Sequence, residues 1–138
     1  MELPSKKVLT LEAAQEISHA ARAEAKKSGW NMVVCVVDDG GHVILLERMD
    51  GTQLGSVQIA QDKARSAVLF KRPSKALEDA VAGGRTVVMK LAGAIPIEGG
   101  APIMAGGELI GAIGVSGASS AQDGQVAAAG LSAIADLK

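Results

Sequence analysis

The groups in this sequence whose types could do chemistry are few: two histidines, one methionine near basic residues, one cysteine, and a lysine set among apolar residues. His19 and His42 supply imidazoles able to ligate haem iron or a transition metal. Met49 adds a soft thioether of the kind that can take an axial position. Arg22 and Arg48 offer guanidinium groups for carboxylates, and Lys63 is a third cation for the same task. Lys63 shares a helix face with Ile59, Ser66 and Phe70, so partial burial would lower its pKa and suit it to acid–base work or anion anchoring. Asp50 or Ser66 would then be its catalytic partner. The plainer reading is a lysine whose stem covers a subunit contact. Asp38 and Asp39 are either turn formers or a carboxylate rim to a ligand site. Arg48 and Asp50 either pair on the surface or join that rim.

A second candidate is the stretch Gly99 to Gly117, GGAPIMAGGELIGAIGVSG. Two apolar runs joined by Gly106-Gly107 read as a hairpin, because a tight primed turn needs positive φ. In its second strand Leu109, Gly111, Ile113 and Val115 should point one way, and Ile110, Ala112, Gly114 and Ser116 the other. Gly111 and Gly114 thin both faces and mark a close approach, either of a packed backbone or of a ligand. In the ligand case the amides near Gly99, Gly100, Gly114, Ser116 and Gly117 would hold an oxyanion or carboxylate.

Other chemistry is excluded by absence of its residues. There is no phosphate-binding P-loop, dinucleotide fingerprint, HExxH, paired-cysteine zinc motif or covalent-haem CxxCH. Cys35 is alone in an apolar run and reads as a buried, inert thiol. A net charge of −1, no Tyr, one Phe and one Trp leave no footprint for nucleic acid. No apolar run reaches the roughly 20 residues of a membrane span, and MELPSKKVLT is not a signal peptide, so the cytoplasm is the expected compartment.

The elements that must carry these groups are well punctuated. Thr10 should cap a helix with Leu11, Ala14, Ile17, Ala21 and Ala25 inward and His19 outward, stopped at Gly29. Met32 to Val37 and Val43 to Arg48 should form an antiparallel hairpin around Asp38-Asp39-Gly40-Gly41. Helices are expected over Ser56 to about Lys71 and over Lys75 to Ala82, the second capped by Ser74. Thr86 to Ile97 reads as a short helix turning into an edge strand. Ser120 and Asp123 resemble a capping box opening a last helix. The order gives one domain, residues 1–138: an α+β sandwich with a largely antiparallel sheet of five strands flanked by helices.

VVDDGGHVILLERMDG, IAQDKARSAVLF and GGAPIMAGGELIGAIGVSGASSAQD together resemble the GlcG/HbpS-like family, which includes the C-terminal domain of PduO-type proteins. The resemblance implies a profilin-like α-β-α sandwich, homo-oligomers (dimers, tetramers or octamers), and binding of haem or a related tetrapyrrole. It implies no individual haem ligand. Three functions follow: a haem-binding oligomer using His19 or His42, a small-molecule enzyme acting on an organic acid through Lys63, Asp50 and Ser66, or a non-catalytic structural or regulatory oligomer. The small-ligand site drawn from these readings is Asp38, Arg48, Met49, Asp50, Lys63 and Phe70 with the five glycine-hairpin positions.

Overall fold

The computed structural model describes all 138 residues. Its first helix, α1 (Leu11–Lys27), starts where Thr10 Oγ1 accepts from Ala13 N–H at 3.1 Å. It stops where Gly29 takes φ +76 and Trp30 N–H reaches back to the Ala25 carbonyl, satisfying end carbonyls that the helix cannot. Strands β1 (Val33–Asp38) and β2 (Val43–Arg48) follow, then helices α2 (Ser56–Phe70) and α3 (Ser74–Ala82) and a 3-10 turn at Thr86–Lys90. Strands β3 (Gly100–Ala105) and β4 (Glu108–Ser116) and helix α4 (Ser120–Ser132) complete the chain.

The sheet has four strands in the order β2-β1-β4-β3, every neighbour antiparallel. The fifth strand expected within Thr86 to Ile97 is absent. Pro96 has no N–H to donate, Gly93 turns the chain at φ +83, and Ile95 N–H is spent on Ser66 Oγ at 3.1 Å, so no ladder can form there.

Helices cover both faces. Val34, Val36, Ile103, Ile113 and Val115 pack with α1 and α4, while Val33, Cys35, Val37 and Ala112 pack with Ala60, Ala64, Ala67 and Val68 of α2. Two bulges adjust this alternation. Met104 pairs with Leu109 and Ile103 with Gly111, which skips Ile110. Leu109 therefore lies with Ala112 on the α2 side and Ile110 with Ile113 on the other, reversing the expected facing of both. A matching shift in β1–β2 leaves Ile44 and Leu45 on the α1 side together.

The glycines of β3 and β4 let α2 sit against the sheet. A Cβ at Gly114 would strike the Ala60 carbonyl, and one at Gly100 the Lys63 carbonyl. The helix caps differ from expectation in two places. Pro73, not Ser74, precedes α3, because Ser74 is buried and its Oγ accepts from Gly100 N–H at 2.8 Å. Ser119, not Ser120, caps α4 and forms the reciprocal box with Gln122, which frees Asp123 to turn inward.

Candidate functional site

Four residues on the last turns of α1, His19, Arg22, Ala23 and Lys26, recur at helical spacing and share one face. Opposite them β2 ends at Arg48, and the chain turns through Met49 and Asp50. Thr52 Oγ1 donates to the Met49 carbonyl at 2.7 Å, and Gly51 holds φ +81 against Asn31, so the turn is fixed. Met49 N–H is tied to the Met32 carbonyl at 3.0 Å. The half-buried thioether side chain is thereby held beside α1.

Between these elements lie two adjoining cavities. One, of about 230 Å³, is lined by His19, Arg22, Ala23, Lys26 and Met49. The other, of about 460 Å³, is lined by Arg22, Lys26, Asn31, Glu47, Arg48, Met49 and Asp50. Arg22, Lys26 and Met49 border both, so the two form one continuous open cleft. It combines an imidazole, a thioether and three cationic side chains, set against the carboxylates of Glu47 and Asp50. The chemistry on offer is soft or nitrogen ligation of a metal centre together with carboxylate binding.

Glu47 is the hinge of this arrangement. Its Oε1 accepts from Ser18 Oγ at 2.5 Å and from Arg22 Nε at 2.9 Å. Ser18 is fully buried, and a hydroxyl taken out of water needs such a partner. The sequence alone does not single out Lys26, Glu47, Ser18 or Asn31 as site residues. The available signal was a serine inside the stripe Ala14, Ser18, Ala21 and Ala25, where every other member is apolar.

The remaining candidates lie elsewhere. Lys63 is 1 % exposed, not partly exposed: its Nζ donates to Asp123 Oδ2 at 2.9 Å and to the Val115 carbonyl at 3.1 Å. Asp123 also accepts from Ala118 N–H, and its burial pushes the carboxyl above the ordinary range despite these partners. Asp50 is in the α1–β2 cleft, whereas Ser66 is buried and engaged with Ile95 N–H, so Lys63, Asp50 and Ser66 do not converge. Phe70 is half-buried at the end of α2. Ser116 Oγ donates to Ser56 Oγ at 2.9 Å. Gly99, Gly100, Gly114 and Gly117 approach Lys63, α2 or Met32 closely and line neither cavity of the cleft.

His42 is exposed at the β1–β2 turn, with its Nδ1 3.4 Å from Asp38 Oδ1. That carboxylate also accepts from the N–H groups of Gly40 and His42. Its partial desolvation alone would raise its pKa, but these donors outweigh it and hold it below the ordinary value. Cys35 is buried between β2 and β4, which pushes its thiol up to about 12. The largest groove, about 600 Å³ between α1 and α4, is lined by alanines, Gln125, Ser132, and Glu24 with Lys27. No three His, Cys, Asp or Glu side chains come together to hold a bare metal ion, and no helix is long and apolar enough to cross a membrane.

Known proteins are similar to this chain in sequence and fold. Residues 9–132 match the family described as haem degrading protein HbpS-like. Protein GlcG of Escherichia coli K12 is 40% identical over 114 residues, 83% of this chain and 85% of that protein. The crystal structure of a double mutant of Streptomyces reticuli HbpS superposes with a TM-score of 0.88 at 34% identity, covering 96% of this chain and 90% of that one. A crystal structure of a PduOC:heme complex gives a TM-score of 0.84 at 29% identity, over 93% of this chain and 96% of that one. With the family match spanning nearly the whole chain and GlcG at this identity, the chain belongs to the HbpS-like family.

Proposed function

We propose that this protein binds haem or a related tetrapyrrole in the cleft between α1 and the end of β2. The observation that carries the proposal is the placement of His19 and Met49 on one cavity whose rim also holds Arg22 and Lys26, with Arg48 beside it. Family membership and the heme complex of a structural relative support the same ligand. The donor set fits. His19 is exposed and its imidazole has no partner in the chain, so it is free to ligate iron. Arg22, Lys26 and Arg48 supply charge for propionates. When bound, the haem would supply redox-active iron, while these side chains bind and orient it.

The cleft is open, and among its apolar groups only Ala23 and Met49 face the smaller cavity. One chain would thus leave a large ring ligand partly uncovered, and we read the complete site as shared between copies in a homo-oligomer. The organic-acid enzyme centred on Lys63 is not favoured, because that ammonium is enclosed and already paired.

The test is a haemin titration of the purified protein followed by absorbance, with His19→Ala and His42→Ala alongside. The expected result is a saturable Soret shift in the wild type and in His42→Ala, lost or strongly altered in His19→Ala. A shift that survives in His19→Ala and disappears in His42→Ala would move the site to the β1–β2 turn, and no saturable shift at all would remove haem from the account.

A further inference from the structure

We infer that Glu47, clamped by the buried hydroxyl of Ser18, is a positioning residue that aims Arg22 into the cleft and makes the site selective for ring ligands bearing free carboxylates. This rests on the tetrapyrrole reading of the cleft but not on which side chain ligates iron. The register of β2 dictates the direction of Glu47. It stands opposite Val34, whose side chain belongs to the core shared with α1, so its carboxylate is directed toward α1 while the side chain stays part-exposed at the edge of the cleft. There it meets Ser18 and, one turn further on, Arg22.

Which atoms are used decides the consequence. Glu47 engages Arg22 through Nε, leaving the two terminal amino groups of the guanidinium without a protein acceptor, and Arg22 borders both cavities. A planar fork with its terminal donors free matches a carboxylate of an incoming ligand. Tethering at Nε restricts the long side chain beforehand, so less freedom is lost on binding. The cleft tolerates the negative charge of Glu47 because Lys26 and Arg48 stand with Arg22 around it. If Glu47 were only a competing counter-charge, its removal would strengthen anion binding. The two roles have opposite signs.

The experiment titrates metal-free protoporphyrin IX and its dimethyl ester, by fluorescence, into wild type, Glu47→Ala and Glu47→Gln. The wild type should favour the diacid over the diester by roughly tenfold, the value of one charge-assisted carboxylate contact. Glu47→Ala should lose about that factor for the diacid and change little for the diester. Glu47→Gln keeps an acceptor oxygen for Ser18 and Arg22 and should stay within about twofold of wild type. Equal losses for both porphyrins in Glu47→Ala would mean a merely structural role and overturn the inference, as would a gain in diacid affinity or an unchanged preference. Metal-free ligands separate this outcome from the iron chemistry: haemin lacking a His19-dependent spectrum beside intact diacid preference sinks the ligand assignment alone. A wild type that binds neither porphyrin sinks both.

Discussion

An ammonium and a carboxylate buried together are held in place by each other, and Lys63 and Asp123 are such a pair. They are 1 % and 3 % exposed, and they join α2 to the first turn of α4 across the end of β4. Removing one partner strands a charge in the interior, whereas removing both need not cost much. Lys63→Met alone should therefore destabilise the fold by about 3–5 kcal/mol, while Lys63→Met with Asp123→Leu should recover most of that loss, as read by urea unfolding. A Lys63→Met variant as stable as wild type would show that the pair does not hold these helices. The same geometry explains why Lys63 looked reactive in sequence. A lysine on an apolar helix face signals an unusual environment, but its partner sits 60 positions away on a helix capped by Ser119 and not Ser120. The type of residue was legible; what it met was not.

At the scale of elements, close packing replaces bulk. The α2 backbone lies on the thin faces of β3 and β4, where Gly100 and Gly114 leave room for its carbonyls. Gly114→Ala should force α2 away from β4 and cost about 3 kcal/mol in stability, measured by denaturant midpoint. An unchanged midpoint would mean that α2 is free to shift. Local signals served well for such elements. Thr10, Gly29 and the inward stripe of α1 were readable because capping and periodicity act within a few residues. The bulges at Ile110 and between Val36 and Val37 were not, since they depend on the register of a neighbouring strand. The candidate site divides the same way. His19, Arg22 and Lys26 share a helix face visible in sequence, and Met49 follows a recognisable strand. Glu47 and Ser18 acquire their role only when β2 is laid opposite β1 with α1 above it.

Taken whole, the molecule is a four-stranded sheet with α1 and α4 on one face and α2 on the other, and the cleft opens where α1 passes the end of edge strand β2. The site lies at an edge and is open on one side, in contrast to the glycine hairpin, which is filled by α2 and Lys63. The most direct measurement is a map of where a tetrapyrrole lands: ¹H–¹⁵N spectra of the labelled protein with and without diamagnetic gallium protoporphyrin IX. The expected result is that the largest shifts fall on His19 to Lys26 of α1 and Glu47 to Asp50, with Lys63 and Gly99 to Gly117 little changed. Shifts centred on Gly99 to Gly117 and the α2 face around Lys63, with the α1–β2 cleft silent, would contradict it.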